Sequence, residues 1–276
     1  MPLRPLVDLH THSTCSDGAL APADLVERAR KRGLAGLALT DHDTVQGYEA
    51  ARAAGVEHGI EVFPGVELSV RIERRVVHLL GYFFDPNDAA LRDFLGGYTT
   101  LRMDRASAIV DRLRQRGLEL ALEDVVEIAG EGIVGRPHIA RAMVRNRLAG
   151  SPEEAFSRYL HDAGPAYVPI ACPPARDALE ALHRAGGIGV LAHPGHWTSD
   201  REIRALKNDG LDGVETIHPS HDTSLIEYYR RLARTLGLVE TGGSDFHGHK
   251  PADDRRLGRL GTSPEALERA RAACIS

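Results

Sequence analysis

Short apolar runs and longer amphipathic stretches alternate along the chain. The runs are PLVDLH (5–10), LAGLALTDH (34–42), IEVFPGVELSV (60–70), RVVHLLGYF (75–83), GGIGVLAHP (186–194), LDGVETIHP (211–219) and LVETGGSDFH (238–247). Their length and flanking turn formers predict seven strands. Between them, 22–33, 176–187, 224–237 and 263–273 place apolar residues at i, i+3, i+4, with Ser, Pro or Asp at the start and often Gly after the end. That spacing predicts helices, and strand-then-helix repetition predicts parallel β/α architecture. From 86 to 168 the rhythm changes. The stretches 100–117, 121–130, 136–146 and 151–160 read as successive helices with no strand between them. An inserted helical lobe is expected there, with 1–85 and 169–276 forming the main domain.

The polar residues of the strand runs sit where a β/α fold gathers its chemistry. His10, Asp41, Glu67, His193 and Asp245 fall at or just beyond the C-terminal ends of candidate strands, the catalytic face of a barrel. His10 and His12 are two apart on an extended chain and aim the same way, as do Asp245 and His247. Singly, each feature has an ordinary reading. Paired histidines hydrogen-bond in loops, the TDHD stretch at 40–43 can cap the helix that begins near Thr44, and His78 on an apolar strand can be a core histidine. Glu67 can be a half-buried strand residue, and His193 can simply precede a proline turn. Their recurrence at strand ends from distant parts of the chain points instead to one shared site. Imidazole and carboxylate without thiolate suit Zn2+, Mn2+ or Fe2+, and this many donors exceed the needs of one ion.

Composition narrows the picture. The 276 residues are 42% apolar, enough for one large core without disulfide staples. Cys15, Cys172 and Cys274 are scattered and lack CxxC spacing, which fits a reducing compartment. No apolar run reaches signal-peptide or membrane-spanning length, so a cytoplasmic protein without a membrane partner is expected. The net charge of −5 argues against long nucleic acid as the main ligand, and a monomer is favoured. Cys15 lies five residues after His10, but a thiolate beside a metal would coordinate rather than attack.

In order and context, DLHTHSTCSDG, TDHDT, GVELS, VVHLLGY, AHPG and GGSDFHG resemble the motifs of the polymerase and histidinol phosphatase (PHP) family of the amidohydrolase superfamily. The resemblance spans 8–248. GRPHIARAMV (135–144) and AFSRYL…AYVPI (155–170) resemble a bacterial subgroup containing nucleoside 3′,5′-bisphosphate phosphatases and 5′-to-3′ exoribonucleases. It implies a distorted (β/α)7 TIM-like barrel whose inserted lobe caps the substrate. It also implies two or three divalent metal ions, with Mn2+ favoured and Zn2+ or Fe2+ as alternatives. His10, His12, Glu67 and Asp245 would hold the first, Glu67, His78 and His193 the second, and Asp17, His42 and His247 the third.

The expected reaction is metal-assisted hydrolysis by a hydroxide shared between two ions. The expected substrate is a nucleoside 3′,5′-bisphosphate such as adenosine 3′,5′-bisphosphate, with short oligonucleotides as a second class. Arg136, at a helix start in the lobe, is the expected clamp for the non-reacting phosphate. His196 is a candidate for phosphate contact or leaving-group protonation, and His138, His221 and His218 are weaker candidates for substrate contact. Histidinol phosphate is the alternative substrate, and a non-catalytic metal-binding scaffold is the alternative class.

Overall fold

Seven strands form in the computed structural model, which describes residues 5–274, one in each of the apolar runs, with the first and third running one and two residues past theirs. They are β1 (Val7–Thr11), β2 (Gly36–Leu39), β3 (Glu61–Ile72), β4 (Arg75–Tyr82), β5 (Ile188–Leu191), β6 (Gly213–Ile217) and β7 (Val239–Gly242), hydrogen-bonded in sequence order. The expectation of an all-parallel sheet fails at one strand. β4 is antiparallel to both β3 and β5. Only Glu73 and Arg74 separate β3 from β4, too few for the crossover that a parallel pair needs. The chain turns in a hairpin, with Glu73 at φ 50°. His78 thereby comes to lie opposite Ser69 of β3.

The sheet curls until β1 and β7 nearly meet. The loop after β7 bridges the gap: His12 N donates to Phe246 O (2.9 Å), while Val7 and Thr262 exchange two backbone bonds at 2.7 and 3.0 Å. Helices cover the outside: α1 (Pro22–Lys31), α2 (Tyr48–His58), α7 (Ala175–Arg184), α8 (Asp200–Asn208), α9 (Thr223–Leu236), α10 (Pro251–Arg256) and α11 (Pro264–Ala273). The result is a distorted seven-stranded α/β barrel. None of the helices among the described residues is long and apolar enough to cross a membrane.

The interval between β4 and β5 is helical: α3 (Ala89–Arg114), α4 (Leu122–Ala129), α5 (Arg136–Arg145), α6 (Pro152–Ala155) and a π-helical turn at Phe156–Leu160. Helix α3 starts eleven residues before the stretch its periodicity marks, because Asp88 caps it, its Oδ1 accepting from Leu91 N at 2.8 Å. This long helix serves two cores. Leu91, Leu95 and Tyr98 pack with barrel residues such as Val66 and Leu179, whereas Ile109, Val110 and Leu113 pack with Val125, Ile139 and Met143 of the helical segment. A buried ion pair fastens the junction: Arg102 Nε donates to Asp43 Oδ2 (2.7 Å) and its Nη2 to Ser69 Oγ (3.2 Å).

Candidate metal centre

Glu67 stands at the middle of β3 and is almost fully enclosed by imidazoles. Its Oε1 lies 2.8 Å from His78 Nδ1 and 2.9 Å from His193 Nε2, and its Oε2 lies 3.1 Å from His42 Nδ1, 3.3 Å from His12 Nε2 and 3.4 Å from His10 Nε2. Asp245 Oδ1 faces the first pair again, at 3.3 Å from His10 Nε2 and 3.2 Å from His12 Nε2. Asp17 completes a third corner, 3.3 Å from His247 Nε2 and 3.9 Å from His42 Nε2. All nine residues that the family motifs mark as ligands therefore meet in one place. Glu67 lies within a twelve-residue strand rather than at its end. The strand continues past the site as one arm of the hairpin.

Electrostatics show what the cluster lacks. Burial alone would push Glu67 up, but His42, His78 and His10 hold its carboxyl well below the usual range. Burial opposes charge on His247 as well, yet Asp17 and Asp245 push it up to about 10. So much buried carboxylate calls for positive charge. Protons on the imidazoles meet that need in one way and divalent cations in another.

The bonding geometry favours cations. His10 Nε2, both ring nitrogens of His12, His42 Nδ1 and His78 Nδ1 are buried and make no hydrogen bond. Four of these five atoms nevertheless lie 2.8–3.4 Å from Glu67 oxygens, without hydrogen-bond alignment. Buried nitrogens left without a partner are costly, and atoms that converge on a common point are what a metal requires. Four overlapping groups have donors within 4.8 Å of one another: His12, Asp17, His42 and His247; His10, His12 and Glu67; His42, Glu67 and His78; and His10, His218 and Asp245. The nitrogen and oxygen donor set fits more than one divalent transition ion.

Residues outside the motif set hold the donors in place. Glu215 of β6 is fully buried; its Oε1 takes a hydrogen bond from His10 Nδ1 (2.9 Å) and its Oε2 one from His193 N (2.8 Å). Protonating Nδ1 leaves the His10 Nε2 lone pair for the cluster. His247 is arranged similarly, its Nδ1 donating to Asp245 O at 3.0 Å. Asp41, at the mouth of β2, accepts from Ser13 N (2.7 Å), Ser13 Oγ (2.6 Å) and Ser16 Oγ (2.6 Å), pinning the loop that carries Asp17. Gly243 fits beside β1 only without a side chain, since a Cβ there would fall 2.3 Å from His10 Cβ. His193 (φ 24°) and Asp245 (φ 50°) occupy strained left-handed backbone, as residues at functional sites often do. The pattern of the chain does not single out Glu215. Its only signal in the chain was an acid between Val214 and Ile217 in the middle of a strand-length run.

The remaining candidates separate. Arg136 opens α5 and lines a cavity of about 290 Å3 together with Asp17, His42, His78, Arg102 and Arg105. Its Nη1 donates to Leu160 O (3.0 Å) and to the exposed Asp162 (2.6 Å). Arg105, which the sequence reading passed over, donates its Nε to Val168 O (2.7 Å) and lies over the Tyr167 ring, 5.7 Å from its centre; burial, with Arg136 and Arg102 nearby, lowers it to about 10. His138 is buried with Nδ1 accepting from Gly135 N (2.9 Å), the start of its own helix. His221 spends both nitrogens on backbone, facing Thr216 O at 3.0 Å and Gly195 N at 3.2 Å. His196 is exposed in the loop beyond His193. His218, a weak candidate from sequence, reaches Asp245 Oδ2 at 3.3 Å and joins the donors. Burial and Asp41 push the Cys15 thiol up, against a nucleophilic thiolate.

A histidine and carboxylate cluster at the mouth of a distorted barrel, with arginines in the adjoining cavity, defines a metal-dependent phosphoesterase. The chain belongs to the PHP domain family, whose model matches residues 8–251. It is 37% identical over 246 residues to a 5′-3′ exoribonuclease of Haemophilus influenzae, covering 87% of this chain and 89% of that protein. It is 34% identical over 247 residues to a 3′,5′-nucleoside bisphosphate phosphatase of Chromobacterium violaceum, covering 87% of each. A solved structure of a protein from Bifidobacterium adolescentis superposes with a TM-score of 0.90 at 31% identity, over 99% of this chain and 98% of that one.

Proposed function

We propose that the protein removes the 3′-phosphate from nucleoside 3′,5′-bisphosphates, as in adenosine 3′,5′-bisphosphate plus water giving AMP and phosphate. The same bond is cut when the 3′-phosphate is esterified onward, so short 5′-phosphorylated oligonucleotides are the second substrate class. The observation that carries this reading is the arginine-lined cavity that shares Asp17, His42 and His78 with the metal cluster. A substrate phosphate at the cluster has a cationic recess within reach for a second phosphate. Arg102 is paired with the buried Asp43 and Arg136 with the exposed Asp162, while Arg105 makes no ion pair among the described residues. Arg136 would exchange the exposed Asp162 for that phosphate.

Bound divalent ions, for which we favour Mn2+ over Zn2+ or Fe2+, would supply an activated water and neutralise charge at phosphorus. His10, His12, Glu67 and Asp245 would hold one ion, Glu67, His78 and His193 a second, and Asp17, His42 and His247 a third. Glu215 keeps the His10 and His193 donors aimed. The helical segment 86–168 acts as a cap, presenting Arg105 and Arg136 to the site. A monomer working in the cytoplasm accommodates all of this.

Arg136→Ala is expected to raise KM for a nucleoside 3′,5′-bisphosphate roughly tenfold or more, the scale of a lost charge-assisted pair. The KM of the matching nucleoside 3′-monophosphate should change little. Unchanged KM for the bisphosphate would remove the clamp. Faster phosphate release from histidinol phosphate than from any nucleotide would overturn the substrate class.

A further inference from the structure

A second cavity, of about 550 Å3, adjoins the metal cluster, and neither Arg105 nor Arg136 lines it. His78 stands in the wall of both cavities, and His193 faces the second one alone. The hairpin tip contributes Arg74, which is exposed and forms no ion pair among the described residues. The wall also carries Trp197, the sole tryptophan of the chain and 59% exposed, a large apolar side chain exceeded in exposure among the described residues by Val56 alone.

The exposure of Trp197 is built rather than incidental. Its indole lies against Gly195, at φ 55°, where a Cβ would come within 2.5 Å of the ring. Arg75 donates to the Trp197 carbonyl, and its Nη2 lies 3.2 Å from Glu202 Oε1. Glu202 in turn closes the cap of α8, its Oε2 accepting from Ser199 N at 2.8 Å. The backbone beneath the ring is thus tied to β4 and to α8, while the ring itself is left open. A flat aromatic face lining the same cavity as a guanidinium without an ion pair is the chemistry that receives a base and its phosphate.

We propose that this cavity binds the nucleotide on the far side of the scissile phosphate, with the base stacked on Trp197 and the following phosphate at Arg74. The inference rests on the reading above, which puts the 5′-phosphate of the first nucleotide at Arg105 and Arg136. Water then adds to phosphorus, the P–O3′ bond breaks, and O3′ takes a proton. The first nucleotide leaves as a 5′-monophosphate, and the shortened strand keeps the phosphate on its new 5′ end. That end is the feature the arginine cavity recognises, so the product is again a substrate. The chain is thereby built for stepwise action on 5′-phosphorylated oligonucleotides, and a bisphosphate fills only half of the site.

Kinetics on the metal-loaded protein would compare a 5′-phosphorylated dinucleotide with the nucleoside 3′,5′-bisphosphate of the same first base. Trp197→Ala should lower the dinucleotide-to-bisphosphate ratio of kcat/KM about tenfold, the scale of one lost base stack. Trp197→Phe should restore most of it. A ratio unchanged in Trp197→Ala overturns the subsite. Fluorescence of the single tryptophan gives a reading independent of turnover, using a phosphorothioate-linked dinucleotide. Quenching by the dinucleotide and not by the bisphosphate supports the subsite, whereas equal quenching or none overturns it. Absence of phosphate release from the bisphosphate would instead defeat the functional reading, with the fluorescence result still deciding the cavity.

Discussion

Glu215 illustrates how much of the metal site depends on a residue that would touch no ion. Its two oxygens receive the His10 ring N–H and the His193 backbone N–H, and the carboxylate has no exposure to solvent. Glu215→Gln preserves volume but turns one acceptor into a donor. Either the His10 ring or the His193 amide then meets an N–H, and a ligand is misaimed. Metal affinity is expected to fall roughly ten- to a hundredfold, with the fold retained. Titration of the metal-free variant with Mn2+ by calorimetry checks this, and parent-like affinity would make Glu215 a bystander. The nine residues that meet in the cluster could be marked in the chain because the types and order of the motifs that carry them resemble those of the family. Glu215 could not, because its role exists only once the curled sheet brings His10 of β1 and His193, beyond the end of β5, up to the Glu215 side chain of β6.

At the scale of elements, the joint between α3 and the barrel carries the most risk. Arg102 is 8% exposed, and it pairs with the fully buried Asp43, next to the His42 donor. Replacing it with leucine keeps much of the packing and strands Asp43 with only the Ser69 N–H as donor (2.5 Å). The expected loss is about 3 kcal/mol, as for one half of a buried pair. Urea unfolding would measure it, and a change below about 1 kcal/mol, typical of surface pairs, would show the pairing to be incidental. Hydrophobic periodicity found every strand, since β-length apolar runs bounded by turns have few other uses. It misplaced the start of α3, because Leu91, Phe94, Leu95 and Tyr98 carry the helical spacing onto the barrel core but are interrupted by Gly96, Gly97, Thr99 and Thr100, which are poor helix formers, and it did not foresee the reversed β4.

For the whole molecule, the buried cluster is a folding liability that metal relieves. Carboxylates and imidazoles from β1, β3, β4 and the loops after β2, β5 and β7 are pulled into one low-dielectric volume. Ions that bind only the folded state stabilise it by mass action, about 2.7 kcal/mol at a hundred times Kd. Chelation should therefore lower the unfolding midpoint and abolish phosphate release, and Mn2+ should restore both. A midpoint indifferent to chelator and metal would mean that the cluster holds no ion. By itself the sequence determined the strand count and the helical interval, because residue type and local periodicity suffice for these, and its resemblance to the family's motifs pointed to the residues that converge in the cluster. Only the tertiary structure decided the reversed β4, the part of Glu215 and the two cavities that meet at His78. These arise from contacts between segments far apart in the chain, and no local pattern encodes which distant side chains will share a wall.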